Sequence, residues 1–342
     1  MRKTSMSLCV LTVLTSASAM AAESQHWKEV GRHVLGGAGG WDLLTVDASS
    51  RRVFITRGDH LMVADADSGK VVGDVPGLKR AHGVVIVPSK KRGFVSSGGD
   101  DRVVAFDLES FKVVAEIPTG KNPDAMLFDA ASQHVFVFNG HSNNATVIDP
   151  SSSTVVATID VPGKPELAVG DGHGKVFVNL EDKNLVALID SKSNKVVGTW
   201  ALGTCEEPTG IALDAAHKRL FSVCANKQMA VLDSSDGHLV TTVAIGDGPD
   251  GAAFDEHGAN ALSSNSDGTL TIVHEDDPTH FHVVANVATP IRSRTIALDD
   301  KTHHAILPIA EFGPAPAPTK EEPHPRPSMK PDTFGIVIVG LQ

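Results

Sequence analysis

The stretch ATVIDPSSSTVVATI, residues 145–159, contains the pattern that decides the fold. A short apolar run ends in Asp149, a polar turn follows, and a second run rich in β-branched residues begins at Thr154. This is the pattern of two strands joined by a tight connection. The Asp that closes the first run recurs along the chain at Asp65, Asp107, Asp149, Asp190 and Asp233, with His274 in its place in the next unit. The spacings, by subtraction, are 42, 42, 41, 43 and 41 residues.

A second marker keeps the same period. Another apolar run in each unit ends at Asp47, Pro88, Asp129, Asp171, Asp214, Asp255 and Asp299. Its spacings, by subtraction, are 41, 41, 42, 43, 41 and 44 residues. A period of about 40–50 residues with several short strands per repeat is typical of a β-propeller. The sequence therefore predicts an all-β, seven-bladed β-propeller with four-stranded antiparallel blades.

The seventh unit contains only three strand-like runs, at 295–298, 305–309 and 335–339. An unassigned strand-like segment, residues 27–36, lies near the N-terminus. We expect this segment to complete the last blade and close the ring, because closure removes two exposed sheet edges.

The ends of the chain predict secretion and a single domain. Arg2 and Lys3 precede a short apolar core, and Ala19-Met20-Ala21 resembles a cleavage site. Residues 1–21 are therefore predicted to be a bacterial signal peptide, which places the protein in the periplasm or outside the cell. Residues 22–342 are predicted to form one propeller domain, and no segment is long enough to span a bilayer. A Pro-rich loop, residues 313–331, interrupts the last blade and is either a lid over one face or a solvated loop.

Two cysteines remain after removal of the signal peptide. Cys205 precedes the first strand of the fifth unit and Cys224 follows its second strand, so both lie at one end of one blade. An oxidising compartment favours a disulfide between them, and two buried free thiols are the alternative.

Composition limits the classes of function. The net charge of −11 argues against nucleic acid as a partner, because phosphate binding needs a basic surface. The sequence contains no Tyr. It also lacks Gly-x-Ser-x-Gly, His-Glu-x-x-His and phosphate-loop motifs.

Polar residues recur before the first strand and after the second strand of each unit. In a propeller these loops surround one mouth of the central channel, where binding sites are usually built. The candidate residues of this mouth are Asp42, His60, His82, Asp124, His141, Glu166, Glu181, Glu207, Asp250 and Arg294. Several carboxylates in one funnel would suit Ca²⁺ or Mg²⁺, and added histidines would suit Zn²⁺. The candidate metal ligands are His82, His141, Glu166 and Glu207, and the alternative is that each residue only caps a turn.

Three phrases resemble one known family. Val147-Ile148-Asp149 followed by Thr154–Val156, Leu188–Asp190 followed by Lys195–Thr199, and Ile117–Pro123 are similar to the repeats of the YVTN-type, or YncE-like, propellers. The resemblance covers the whole chain after the signal peptide and implies a seven-bladed fold. It also implies a secreted or surface protein. One branch of the family is associated with single-stranded DNA, and a related seven-bladed group contains lactonases.

The sequence thus favours a monomeric scaffold that binds a small molecule, a divalent metal or an envelope protein at the acidic mouth. The alternative is a metal-assisted hydrolase or lactonase whose site lies in the same funnel. Binding of single-stranded DNA is the third hypothesis.

Overall fold

The computed structural model describes residues 26–319 and 325–342, which consist almost entirely of antiparallel β-strands. The signal peptide expected at residues 1–21 lies outside these residues. Helical structure in the described ranges is limited to three 3-10 turns, Pro88–Lys90, Gly98–Asp100 and Glu181–Lys183. Within the same ranges, no helix has the length and apolar character that crossing a membrane requires.

The first strand, β1 (Trp27–Val34), is followed by a seven-stranded sheet. The strands of this sheet are β2 (Leu44–Asp47), β3 (Arg52–Thr56), β4 (Gly58–Asp65), β5 (Val71–Val87), β6 (Arg92–Ser97), β7 (Arg102–Asp107) and β8 (Val113–Pro118). The 17-residue strand β5 pairs with β4 through its first half and with β6 through its second half. Two sets of four strands, which the sequence predicts as separate blades, therefore share one continuous strand.

Four four-stranded sheets follow, each with its strands in chain order. The first two contain β9 (Pro123–Asp129), β10 (His134–Asn139), β11 (Asn144–Asp149), β12 (Thr154–Asp160), β13 (Pro165–Gly170), β14 (Lys175–Leu180), β15 (Leu185–Asp190) and β16 (Lys195–Ala201). The next two contain β17 (Pro208–Asp214), β18 (Arg219–Cys224), β19 (Gln228–Asp233), β20 (Leu239–Ala244), β21 (Pro249–Asp255), β22 (Asn260–Asn265), β23 (Thr269–Asp277) and β24 (His280–Ala288).

The last sheet joins the two ends of the described chain. It contains β25 (Ala297–Asp299), β26 (His304–Ile309) and β27 (Gly335–Leu341), and β1 pairs antiparallel with β27 from Trp27↔Leu341 to Val34↔Gly335. The N-terminal segment thus supplies the fourth strand of this sheet. Strand β25 in turn contacts β2 of the first sheet.

The apolar core is divided into layers that lie between neighbouring sheets. Phe136 and Phe138 of β10 pack with Val176 and Val178 of β14, and corresponding clusters lie between the other neighbours. The cluster that contains Leu44 also contains Ile306, so the first sheet packs against the last. Middle strands are buried on both faces, which explains their continuous apolar runs. The described residues therefore form a β-propeller fold.

Polar turns and one cross-link stabilise this scaffold. The recurring Asp that ends the third strand in five units caps the following turn, as Asp149 does by accepting the N–H of Ser151 at 2.8 Å. Cys205 and Cys224 form a disulfide with their Cα atoms 5.6 Å apart.

Candidate functional site

A recurrent irregularity at the start of the innermost strands sets the geometry of the mouth. In β9, Pro123 pairs with Asn139 and Met126 with Val137, so two residues of β9 face one residue of β10. The same register shift follows Pro165 in β13 and Pro208 in β17. Related shifts occur in β5 and after Pro249 in β21. Such a bulge turns side chains away from the regular ladder, and Pro is tolerated at the first residue of a strand.

The bulged residues line one cavity. Its volume is about 230 Å³, and its walls are formed by Asp42, Leu43, His82, Asp124, Glu166, Leu167, Glu181, Thr209, Asp250 and Arg294. Seven of the ten mouth candidates from the sequence are in this set. We call it the acidic cavity, because five of its residues are carboxylic acids.

Asp42, His82 and Asp124 form the tightest group in the acidic cavity. His82 Nδ1 lies 2.6 Å from Asp42 Oδ2 and 3.9 Å from Asp124 Oδ1. One atom from each residue lies within 4.8 Å of the others, which is close enough to hold a metal ion. Burial alone would lower the pKa of His82, but the hydrogen bond with Asp42 and the charges of Asp124 and Asp42 raise it.

Three carboxyl groups of the acidic cavity have raised pKa values. Burial is the main cause for each, and neighbouring carboxylates add to it. The pKa of Asp124 is raised to about 6 and that of Asp250 to about 7, against the opposing effects of His82 and Arg294. The pKa of Glu166 is raised to about 8 by burial and by the charge of Asp124.

Two cations partly compensate this negative charge. Lys164 Nζ lies 2.8 Å from Glu166 Oε1 and also forms an ion pair with Glu181. Arg294 Nε lies 3.1 Å from Asp250 Oδ2, but its side chain is half exposed. Because five carboxyl groups line the cavity and, in the part of the chain that the structure describes, only these two Lys and Arg cations pair with them, the carboxyl groups outnumber the cations.

The other three mouth candidates, all described by the structure, lie outside the acidic cavity. His60 pairs with the exposed Asp59, with Nδ1 at 2.7 Å from Oδ1. His141 and Glu207 are exposed. The four candidate metal ligands are therefore not brought together, and only His82 and Glu166 share the cavity. Thr209, which follows Pro208, occupies the position that Asp124 occupies after Pro123.

A second pocket adjoins the acidic cavity and was not predicted from the sequence. We call it the arginine pocket; it has a volume of about 390 Å³ and is lined by Gly40, Trp41, Ser266, Arg292, Arg294, Phe312 and Arg326. The Arg292 guanidinium lies 4.7 Å from the centre of the Phe312 ring, which packs beside Trp41. Arg294 belongs to both pockets, so the mouth presents opposite charges side by side.

The Pro-rich insertion contributes to this pocket. Phe312 bridges to Met329, and the backbone N–H of Gly313 donates to Ser328 O at 2.9 Å. These contacts close the base of the insertion beside Trp41 and place Phe312 and Arg326 at the mouth. The closely spaced Arg292 and Arg294 are visible in the sequence and could have indicated this pocket. The contacts that bring the end of the insertion back beside Phe312 could not be read from the sequence.

Comparison with known proteins supports the fold. The chain is similar to a solved structure of Kuenenia stuttgartiensis hydrazine synthase, with a TM-score of 0.69 and 17% sequence identity. The match covers 81% of this chain and 95% of that one. No protein-family model and no curated protein matches the chain.

Proposed function

We propose that this chain is an exported, YVTN-type seven-bladed β-propeller that binds a divalent cation in its acidic cavity. Seven blades are supported by the two sequence markers and by strand β5, which serves two sets of four strands. The packing of β25 on β2 and the pairing of β1 with β27 support a closed ring. Export to the periplasm is supported by the signal-like residues 1–21 and by the Cys205–Cys224 disulfide.

The observation that carries the binding proposal is the uncompensated charge of the acidic cavity. Asp124, Glu166 and Asp250 have pKa values between about 6 and about 8, so these buried carboxyl groups hold protons more tightly than exposed ones do. A divalent cation would replace these protons and stabilise all the carboxylates. Asp42, His82 and Asp124 are the proposed ligands. A site with one imidazole nitrogen and carboxylate oxygens suits Zn²⁺ or Mn²⁺ better than a site with oxygen ligands alone does.

Calorimetric titration of EDTA-dialysed protein with Zn²⁺, Mn²⁺ and Ca²⁺ at pH 7.5 tests this proposal. We expect Asp124→Asn to weaken binding at the mouth by at least about tenfold, because it removes one charged ligand. Asp160→Asn is the matched control, since Asp160 is exposed in β12. Equal affinities of the wild type and Asp124→Asn for every ion would contradict the proposal.

A second candidate function, metal-assisted hydrolysis, is favoured by the pair of Asp250 and Arg294. A carboxyl group with a pKa of about 7 can exchange protons near neutral pH, and Arg294 could stabilise an oxyanion beside it. If the protein opens sugar lactones, Asp250→Asn should reduce kcat/KM by at least about 100-fold. Hydrolysis at an unchanged rate in Asp250→Asn would remove Asp250 from this role.

A further inference from the structure

A separate cluster lies at the opposite end of the sheets, remote from the acidic cavity. Asp214 is the last residue of β17, whose first residues reach the mouth, and His217 lies in the turn that follows. Glu275 lies in β23 of the next sheet. Three atoms of this cluster, one from each residue, lie within 4.8 Å of one another.

Glu275 is a buried carboxylate without a hydrogen-bond donor. Its side chain is 1% exposed, and neither oxygen accepts a hydrogen bond from any residue that the structure describes. His217 Nδ1 approaches Oε1 to 3.0 Å, but outside hydrogen-bonding geometry, and it also lies 2.8 Å from Asp214 Oδ2. Burial of such a group is costly unless a cation or proton compensates it.

Arg219, whose charge acts on Glu275, is engaged elsewhere. Arg219 Nη1 lies 2.7 Å from Asp233 Oδ2, and its Nε donates to the carbonyl oxygen of Pro278 at 2.6 Å. Burial and the charge of Asp214 raise the pKa of Glu275, and Arg219 lowers it by less than they raise it. The net result is a pKa of about 7 for Glu275.

None of the five earlier units has a carboxylate at the position of Glu275. The residue after the third-strand marker is Ala66, Leu108, Pro150, Ser191 or Ser234 in the earlier units and Glu275 in the sixth. Ala66, Ser191 and Ser234 are buried, so in three of the five earlier units this position holds a small buried residue. Glu275 replaces such a residue with an ionisable one, directly opposite the turn that holds His217.

Asp214 keeps one oxygen outside its turn cap. Its Oδ1 accepts the backbone N–H groups of Ala216 at 2.8 Å and His217 at 3.2 Å, which caps the turn. The equivalent Asp171 caps its turn in the same way through Oδ1. Capping therefore accounts for one oxygen of Asp214, and Oδ2 faces His217 and Glu275.

We propose that Asp214 Oδ2, His217 Nδ1 and Glu275 Oε1 bind a Zn²⁺ ion between these two sheets. Ligand atoms of a tetrahedral zinc site with bonds of 2.0–2.1 Å are separated by about 3.3 Å. The 2.8 and 3.0 Å separations from Nδ1 need only small side-chain movements to reach this value. His217 is half exposed, which gives the ion access and leaves room for water as a fourth ligand.

Zn²⁺ binding to EDTA-dialysed full-length chain, followed by competition with a chromophoric chelator, tests the site. We expect His217→Ala and Glu275→Gln each to weaken the binding of one Zn²⁺ ion per chain by at least about tenfold. His217 is half exposed and its removal should leave the fold intact. The matched control is His238→Ala, because His238 is an exposed histidine whose Nδ1 lies 2.8 Å from Oδ1 of Asp236 in the same turn.

The mouth must be tested separately, because it is proposed to bind a cation too. Asp124→Asn should still bind the Zn²⁺ ion that His217→Ala no longer binds, and the variant that carries both substitutions should bind neither ion. If only the acidic cavity fails to bind a cation, the Zn²⁺ ion at His217 should still be bound. If His217→Ala and Glu275→Gln bind Zn²⁺ like the wild type, the proposal is wrong, and Glu275 is neutralised by a proton shared with Asp214.

Discussion

We expect Asp250→Asn to be more stable than the wild type at pH 8 and to lose most of this advantage at pH 4. The Asp250 side chain is 18% exposed, and burial raises its pKa from an ordinary value of 3.8 to about 7. A carboxyl group with a raised pKa in the native state binds protons more tightly there than in the unfolded chain. Stability is therefore lost as the pH rises from about 4 to about 7, and it stays low above that range.

The expected size of this effect follows from the two pKa values. At pH 8 the ionised Asp250 lowers the free energy of unfolding by up to about 4 kcal/mol, and at pH 4 by less than about 1 kcal/mol. Asn has nearly the same shape and no charge, so the variant should not show this loss. Urea unfolding of both proteins at pH 4, 6 and 8 measures the difference.

Asp160→Asn is again the control, because Asp160 is exposed and its replacement should change stability little at any pH. A divalent cation at pH 8 should raise the stability of the wild type, since an ion that binds only the native state stabilises it by mass action. A constant difference between Asp250→Asn and the wild type from pH 4 to pH 8 would contradict the burial of a titrating carboxyl group.

The sequence could predict the acidic cavity because the repeat period aligns its residues. Asp124, Glu166 and Asp250 each follow a Pro at the same point of the unit, and the structure turns all three into one cavity. Glu207 was misaligned, because it precedes Pro208 rather than following it. Its backbone has a φ of 49°, like Asn122 before Pro123, and the residue at the cavity is Thr209. The bulge after Pro208 is the same as in β9 and β13, so the Pro sets the alignment, whereas the period, which varies between 41 and 44 residues, does not.

The loops after the second strands could not be placed from sequence for a different reason. His60 is inside β4 and pairs locally with Asp59, so it does not reach the channel mouth. His141 lies at the exposed turn between β10 and β11. Glu181 follows a second strand too, yet it lines the cavity, where Lys164 pairs with it. These differences depend on turn geometry and on local partners, which the repeat period does not encode.

The last and largest expected loss of stability concerns Arg57. This side chain is fully buried, and its guanidinium donates to the carbonyl oxygens of Gly40 at 3.1 Å, Ala38 at 3.0 Å and Gly39 at 3.2 Å. It also lies 3.5 Å from the centre of the Phe334 ring. Arg57 thus fixes segment 36–40, which leads directly into Trp41 and Asp42 at the mouth.

Arg57→Met should lower the free energy of unfolding by about 3–5 kcal/mol. The shape of the side chain is roughly kept, but three hydrogen bonds from a charged donor are lost, each contributing about 1.5–3 kcal/mol, and the removal of a buried charge offsets part of this loss. The segment is not ordered by its own conformational preferences, because Gly36, Gly37 and Gly39 have positive φ values and glycine is free to adopt other conformations when nothing holds it. Urea unfolding measures the loss.

Two further variants make the result specific to the guanidinium. Arg57→Lys keeps a positive charge but not the planar fork, so it should recover only part of the loss. Arg32→Met removes an arginine whose ion pair with Glu29 is nearly half exposed, and such pairs contribute at most about 1 kcal/mol. If Arg57→Met lowered the free energy of unfolding as little as Arg32→Met does, segment 36–40 would be held by other contacts. A large loss with Arg57→Met and a blunted response of the acidic cavity to cations would instead show that this buried arginine supports the geometry of the mouth.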